Sequence, residues 1–273
     1  MIVDSSVIVP ILNRLCNFQW CWNSSTDSWI NETEWINYND IENEIIEDAY
    51  HQKKFDVEID GDFVINLEFL LQYKKDNEFT VRPIRRIQLD SNRRNDQLRK
   101  DRFFMPIATE SSLASEQIDD TTGNRIFRLL LSMGDLPRAY LFLNPPKNCK
   151  TIANVVEDAA KGIIKEGTSI GKAHEANWIA KQLLAVKDSG NNFMLCSQTG
   201  NVPAIIGKTC VALYTMESYF YKQLNYVTRY LCRITMQQVT SYGPFCYLIQ
   251  SFLQEIKSVP EVTVYRGVDL SDE

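Results

Sequence analysis

Histidine and closely paired cysteines are scarce in this sequence. The 273 residues include two histidines, His51 and His174, and none of the seven cysteines forms a C-x-x-C pair. Structural zinc sites need four thiolate or imidazole ligands at short, regular spacings. The sequence therefore predicts no metal site. The odd number of cysteines at irregular spacings favours reduced thiols in an intracellular protein.

Long apolar runs and an excess of positive charge are also missing. The first residues, MIVDSSVIVPILNRLC, have no basic region before a short apolar run, which predicts neither a signal peptide nor a membrane-spanning helix. The net charge is −6, so the chain as a whole does not attract nucleic acid. We therefore expect an intracellular protein, cytoplasmic or nuclear, with no membrane partner and no specific nucleic-acid partner.

One local exception to the charge argument is the basic run at residues 74–102. It offers a nucleic-acid interface as an alternative function. Acidic residues interrupt the run, however, and few rings that could stack on bases flank it. A solvated protein face accounts for the run better, and salt-dependent binding of DNA or RNA would distinguish the two.

The hydropathy pattern changes along the chain and predicts an α+β fold. FDVEIDGD (55–62) is typical of a strand with a turn at Asp60-Gly61, and FVINLEFLLQ (63–72) and TVRPIRRIQL (80–89) are typical of further strands. IENEIIEDAY (41–50) is typical of a helix. The polar stretch at 109–124 has the composition of a linker. Beyond it the pattern turns helical. Helical segments are predicted at 125–143 (two short helices around Gly134-Asp135), 152–167, 172–186, 217–231 and 245–256.

Aromatic residues are concentrated near the start of the chain. Four of the five tryptophans lie within sixteen residues: Trp20, Trp22, Trp29 and Trp35. A small core built on large rings explains such clustering. Trp20 and Trp22 are two apart, however, so on a strand they share one face. Amide and guanidinium donors follow at Gln72, Arg82, Arg85 and Arg86. Stacking rings together with forked cations suit a nucleotide-like anion.

Spaced motifs over roughly residues 16–90 resemble a WWE domain. They are W-C-W (20–22), W-I-N-Y (35–38), I-E-D-A-Y (46–50), F-V-I-N-L-E-F-L-L-Q (63–72) and R-P-I-R-R (82–86). The two tryptophans and the glutamate of the family name correspond to Trp20, Trp35 and Glu47. The resemblance implies a half-barrel sheet with one helix, expected at residues 14–92. In many members it also implies binding of the iso-ADP-ribose unit of poly(ADP-ribose).

The resemblance to WWE domains further implies which residues contact the ligand. Trp22 would line the ring pocket, Gln72 would hydrogen-bond the ligand, and Arg82 would contact phosphate. Arg94 would be a second cation. Phe63 stands where ligand-binding members often carry tyrosine, which removes a hydroxyl donor. A structural or protein-binding role is therefore the alternative to recognition of poly(ADP-ribose).

The end of the chain, VTVYRG (262–267), resembles the strand ending Y-R-G in arginine-specific ADP-ribosyltransferases of the R-S-E class. With the helical segments before it, including LYTMESYFYKQLNYVTRYL (213–231), the similarity covers about residues 150–273. It implies the first strand of a split sheet, NAD or NADP as co-substrate, and a protein arginine as acceptor. Arg266 would bind the pyrophosphate through its guanidinium fork, and Gly267 would let the backbone approach closely.

The same resemblance limits the expected activity. Transferases that resemble poly(ADP-ribose) polymerases have a histidine at the position of Arg266, and neither histidine here precedes a glycine. Seven residues follow Arg266, and neither a serine strand nor E-x-E is among them, so no catalytic residue is predicted.

We therefore expect a WWE domain, a linker at 93–124, and a helical region with an incomplete transferase domain at 125–273. The predicted function is mono-ADP-ribosylation of protein arginine, inactive in this chain alone. The alternative is a non-catalytic WWE module.

Overall fold

The computed structural model describes residues 10–14, 17–25, 34–89, 136–145, 150–195, 202–229 and 235–255. We call residues 17–25 and 34–89 the sheet unit, and the described residues from 136 to 255 the helical unit. A six-stranded antiparallel sheet followed by helices confirms the α+β fold. The linker expected at 93–124 and the strand expected at 262–266 lie outside the described residues, as do Arg94, Arg266 and Gly267.

The sheet unit contains six strands in the order β2-β1-β6-β5-β4-β3. Their bounds are β1 Phe18–Asn23, β2 Trp35–Asn37, β3 Asp56–Ile59, β4 Phe63–Asn66, β5 Leu71–Lys74 and β6 Asn77–Gln88. The long β6 pairs with β5 through its first half, where Gln72 opposes Arg82. It pairs with β1 through its second half, where Trp22 opposes Ile84. β6 therefore joins the two halves of the sheet.

The prediction of a single strand over 63–72 is wrong, because a turn at residues 67–70 divides it into β4 and β5. The turn is held by hydrogen bonds at both ends. The Asn66 side chain accepts the Phe69 N–H at 2.8 Å, and the Leu70 carbonyl accepts the Ile84 N–H at 2.9 Å. Leu70 has a φ of 55°, a left-handed conformation that is rare for a bulky residue. The continuous apolar pattern of residues 63–72 gives no sign of this turn.

One helix, α1 (Asp40–His51), covers one face of the sheet. It begins with a capping box, in which the Asn39 side chain accepts the Glu42 N–H and Glu42 accepts the Asn39 N–H. The buried core between helix and sheet comprises Trp20, Tyr38, Ile46, Ala49, Ile59, Ile65, Leu67 and Ile84. The helix predicted at 41–50 is thus confirmed and fixes which face of the sheet is buried.

The helical unit contains six helices within the described residues. They are α2 Leu136–Leu143, α3 Ile152–Ser169, α4 Ala173–Leu184, α5 Ala204–Thr215, α6 Tyr219–Arg229 and α7 Met236–Glu255. Aromatic rings fill the centre of their core, where Phe220 meets Phe245 edge-on at 4.8 Å and stacks with Tyr242 at 6.2 Å. No described helix is long and apolar enough to cross a membrane.

Helix α1 of the sheet unit contacts the helical unit along its length. Ile41 of α1 is buried within the core of the helical unit. Further along α1, Asp48 accepts a hydrogen bond from the Trp178 indole at 3.0 Å. The N-terminus of α1 is also bonded to the helical unit, because Asp40 accepts the Glu217 N–H at 2.7 Å. The orientation of the sheet unit is therefore fixed at both ends of α1.

Candidate ligand-binding site

Four of the residues predicted to bind a ligand share one face of the sheet. Residues directly opposite each other in antiparallel strands point to the same side. Trp22 opposes Ile84, Gln72 opposes Arg82, and Phe63 opposes Lys74. Following these pairs across the sheet places Trp22, Phe63, Gln72 and Arg82 on the face that α1 covers. Trp22, Phe63 and Arg82 are half-buried there, so they are positioned by the core and open to solvent.

Trp22 and Arg82 form the aromatic and cationic part of this face. The Arg82 guanidinium lies 5.0 Å from the centre of the Trp22 ring, within the range of a cation–π contact. One of its N–H groups donates to the Ser24 carbonyl at 3.0 Å. These two contacts hold the guanidinium in place and leave its remaining N–H groups able to meet an anion.

Gln72 is 4 % exposed, and its orientation is set by Tyr38. The Tyr38 hydroxyl donates to the Gln72 Oε1 atom. Burial raises the pKa of Tyr38, with a further contribution from the charge of Glu42, so the phenol keeps its proton and remains a donor. Among the described residues the Gln72 Nε2 group donates to no other atom. The carboxamide is therefore held with a donor left for a ligand.

Phe63 and Lys74 complete the face on the β4 side. The Lys74 ammonium lies 5.5 Å from the centre of the Phe63 ring. The turn before β4 passes beneath this ring, because a Cβ at Gly61 would approach a Phe63 ring carbon to 3.3 Å. Gly61 has a φ of +84°, and the turn predicted at Asp60-Gly61 is thereby confirmed.

Two of the arginines expected to supply donors are not available to a ligand on this face. Arg85 points to the opposite side of the sheet, where its guanidinium lies 4.1 Å from the centre of the Trp35 ring. Arg86 shares the face with Arg82 but binds both carboxylate oxygens of Glu47. The expectation that they help to grip phosphate is therefore wrong: alternation along β6 turns Arg85 away, and an ion pair occupies Arg86.

Two residues of the face were not singled out from the sequence. Lys74 lies two residues after Gln72 on β5, so the period of a strand indicates that both share one face. Tyr38 belongs to the W-I-N-Y motif, but its bond to Gln72 joins residues 34 positions apart and leaves no local signal.

The face as a whole can recognise a planar ring carrying negative charge. It offers a half-buried indole, an oriented amide donor and two cations, Arg82 and Lys74. The described residues contain no cluster of three or more side chains that could hold a metal ion. Recognition of an anionic, ring-containing ligand is thus the chemistry that these side chains provide.

Comparison with known proteins identifies this part of the chain. Residues 18–86 match the family described as WWE domain, and the chain therefore contains a WWE domain there. No curated protein and no solved structure matches the chain. No family match or relative supports the resemblance of residues 150–273 to ADP-ribosyltransferases.

Proposed function

We propose that this protein binds the iso-ADP-ribose unit of poly(ADP-ribose) through its WWE domain. The observation that carries the proposal is the placement of Trp22, Gln72 and Arg82 on one face of three neighbouring strands. Iso-ADP-ribose combines an adenine ring, ribose hydroxyls and phosphates. A stacking ring, an amide donor and a guanidinium match these three kinds of group in turn.

Each residue has a separate role in the proposed complex. Trp22 offers a ring face to the planar part of the ligand. Gln72, oriented by Tyr38, donates a hydrogen bond from Nε2. Arg82 binds phosphate through the N–H groups that Ser24 does not occupy, and Lys74 adds positive charge at the edge.

Catalysis is not part of the proposal. NAD or NADP as co-substrate, bound by Arg266 and Gly267, and a protein arginine as acceptor remain predictions that rest on the resemblance of residues 150–273 to ADP-ribosyltransferases. The location of the protein, cytoplasmic or nuclear, likewise remains a prediction.

Isothermal titration of the full chain with iso-ADP-ribose tests the proposed function. We expect binding by the unaltered protein and a loss of about tenfold or more in affinity for Arg82→Ala, because a charge-assisted hydrogen bond contributes roughly 1.5–3 kcal/mol. Arg85→Ala is the matched control: it removes the same side chain from the same strand on the opposite face, and we expect its affinity to be unchanged.

A variant at Phe63 tests whether the absence of a tyrosine hydroxyl at this position weakens ligand binding without abolishing it. Phe63→Tyr restores a donor, and we expect a gain of roughly threefold to tenfold in affinity. No heat for either the unaltered protein or Phe63→Tyr would reject ADP-ribose binding. It would favour the alternative, a WWE domain that contacts another protein.

A further inference from the structure

Two loops that border the proposed ADP-ribose site are tied to the first turn of α4 in the helical unit. One is the Tyr38–Asn39 segment between β2 and α1. The other is the turn of residues 60–62 between β3 and β4. Both loops carry a side chain that hydrogen-bonds a residue of this turn, and neither bond lies within the WWE domain itself.

Asp60 caps helix α4 from the other unit. Its carboxylate oxygens accept the N–H groups of His174 and Glu175 at 2.8 and 2.9 Å. The residue at the N-cap position of α4, Lys172, makes no side-chain capping bond of its own. The first N–H groups of a helix need acceptors, and Asp60 supplies them although it lies 114 residues earlier in the chain.

The Asp60 bond fixes the turn against which Phe63 packs. Asp60 is 6 % exposed, and Gly61 and Asp62 follow it directly into β4. The Phe63 ring lies against Gly61. On the other side of the turn, the Asp62 carbonyl accepts the Lys75 N–H at 2.9 Å. A shift of Asp60 would therefore move the Phe63 wall of the site.

Glu175 holds the second loop. It is 0 % exposed and accepts hydrogen bonds from Asn39 at 3.2 Å, from Lys172 at 2.8 Å and from the Tyr219 N–H at 3.1 Å. A buried carboxylate is tolerated only when it is paired and hydrogen-bonded, so these partners fix its position. Asn39 follows Tyr38, the residue that orients Gln72.

We propose that the first turn of α4 positions the ADP-ribose site, with Asp60 and Glu175 as positioning residues for Phe63 and Gln72. The inference rests on the proposed function and adds that the helical unit forms part of the support of the site. Linkage between sites is reciprocal. Ligand binding at the sheet therefore also stabilises the contact between Asp60 and α4.

Asp60→Asn tests the positioning role. An asparagine keeps one acceptor oxygen but places an NH₂ group against the second helix N–H, so the cap is half lost while the side chain keeps its size. In unliganded protein we expect hydrogen exchange at residues 61–63 to accelerate. The Gln72 side-chain amide resonances should also shift, because Asp60 accepts the N–H of Glu175, which holds the loop that orients Gln72. Iso-ADP-ribose affinity should fall roughly fivefold or more. Asp56→Asn is the matched control, because it makes the same change in the same hairpin at a residue bonded to Asn66.

A second measurement requires no substitution. Saturating iso-ADP-ribose should slow hydrogen exchange at the His174 and Glu175 amides of the unaltered protein, although neither lies on the binding face.

An Asp60→Asn protein with unchanged Gln72 resonances and unchanged exchange at 61–63 would overturn the positioning role. If the unaltered protein shows no heat with iso-ADP-ribose, the proposed function fails, whereas the unliganded comparison still decides the positioning role.

Discussion

At the scale of single residues, Glu47 explains part of the WWE signature. Its carboxylate accepts the Trp20 indole N–H at 2.8 Å and binds the Arg86 guanidinium through both oxygens. Trp20 is fully buried, so its N–H needs an acceptor inside the protein. Glu47 supplies that acceptor and fixes Arg86, the residue that follows Arg85 along β6.

The pH dependence of stability should report on Glu47. Burial alone would raise its pKa, but hydrogen bonds from Arg86 and Trp20 outweigh burial and leave the pKa below the ordinary value of 4.5. Between the lowered pKa and 4.5 the unfolded chain binds more protons than the folded protein. The stability that Glu47 contributes is therefore complete above pH 4.5 and is lost as the pH falls through the folded-state pKa.

We expect Glu47→Gln to lower the free energy of unfolding by about 1–3 kcal/mol at pH 7. The difference in free energy of unfolding between the two proteins should shrink as the pH falls below 4.5, because the unaltered protein then loses the contribution of the ionised Glu47 carboxylate. Other carboxylates contribute equally to both proteins and cancel in the difference. Urea unfolding between pH 3 and pH 7 measures the difference. Glu68→Gln is the control, because Glu68 is exposed and its replacement should change the free energy of unfolding at pH 7 by no more than about 0.5 kcal/mol. A gap for Glu47→Gln that is constant with pH would contradict the assignment.

At the scale of helices and strands, pattern reasoning succeeded where the apolar periodicity of a segment is strong. The helix predicted at 152–167 is observed as Ile152–Ser169, and a capping box between Thr151 and Asn154 marks its start. The helix predicted at 172–186 is observed as Ala173–Leu184. Apolar residues recur every three or four positions in both, because one face packs on the core.

The longest helix shows why other elements could not be predicted in full. The sequence predicts a helix at 245–256, whereas α7 begins at Met236 and carries Pro244 in its interior. A proline normally ends or kinks a helix, so the sequence gives no sign that one helix continues through Pro244. The sequence pattern also gives no clear sign of α5 (Ala204–Thr215). It is apolar on most of its surface, and its pattern has little periodicity.

The crossing of α3 and α7 depends on one glycine. A Cβ at Gly162 would lie 2.1 Å from the Ser241 carbonyl oxygen, which is backbone and cannot rotate away. In Gly162→Ala the clash should lower the free energy of unfolding by about 1–3 kcal/mol. The higher helix propensity of alanine offsets up to about 1 kcal/mol of that loss. Thermal and urea unfolding measure the net loss.

Lys161→Ala provides the control for this crossing. It introduces alanine at the adjacent, exposed position of the same helix, and we expect stability within about 0.5 kcal/mol of the unaltered protein. Equal stability of Gly162→Ala and Lys161→Ala would show that the two helices can separate without loss.

At the scale of the whole molecule, the contact between the units was beyond sequence reasoning. It depends on polar pairs far apart in the chain, such as Asp60 with Glu175 and Asp40 with Glu217. No periodicity links such residues, and each reads locally as an ordinary surface acid. The resemblance to WWE domains implied Trp22, Gln72 and Arg82 as ligand contacts, but their common face follows only from the strand pairing that the structure shows. The support of the site by α4 could not be predicted.

Arg14 should couple the unfolding of the two units. It binds the Glu44 carboxylate at 2.7 Å and the Asp48 carboxylate at 2.8 and 3.0 Å. Its guanidinium also lies 5.2 Å from the centre of the Trp178 ring on α4. The Arg14 and Glu44 side chains are 9 % and 8 % exposed. Removal of one partner from a buried ion pair leaves an uncompensated charge, which costs about 3–5 kcal/mol.

We therefore expect Arg14→Met to lower the free energy of unfolding by about 3 kcal/mol or more and to separate two transitions that coincide in the unaltered protein. Tryptophan fluorescence follows mainly the sheet unit, and far-ultraviolet circular dichroism follows mainly the helices. Urea curves from the two probes should overlay for the unaltered protein, and the fluorescence curve should shift to lower urea for Arg14→Met.

Arg85→Met removes a guanidinium from the opposite face of the sheet, where it contacts Trp35, and its two curves should still overlay. Superimposed curves for Arg14→Met at unchanged stability would mean that the units are joined by the apolar contact around Ile41 rather than by this ion pair.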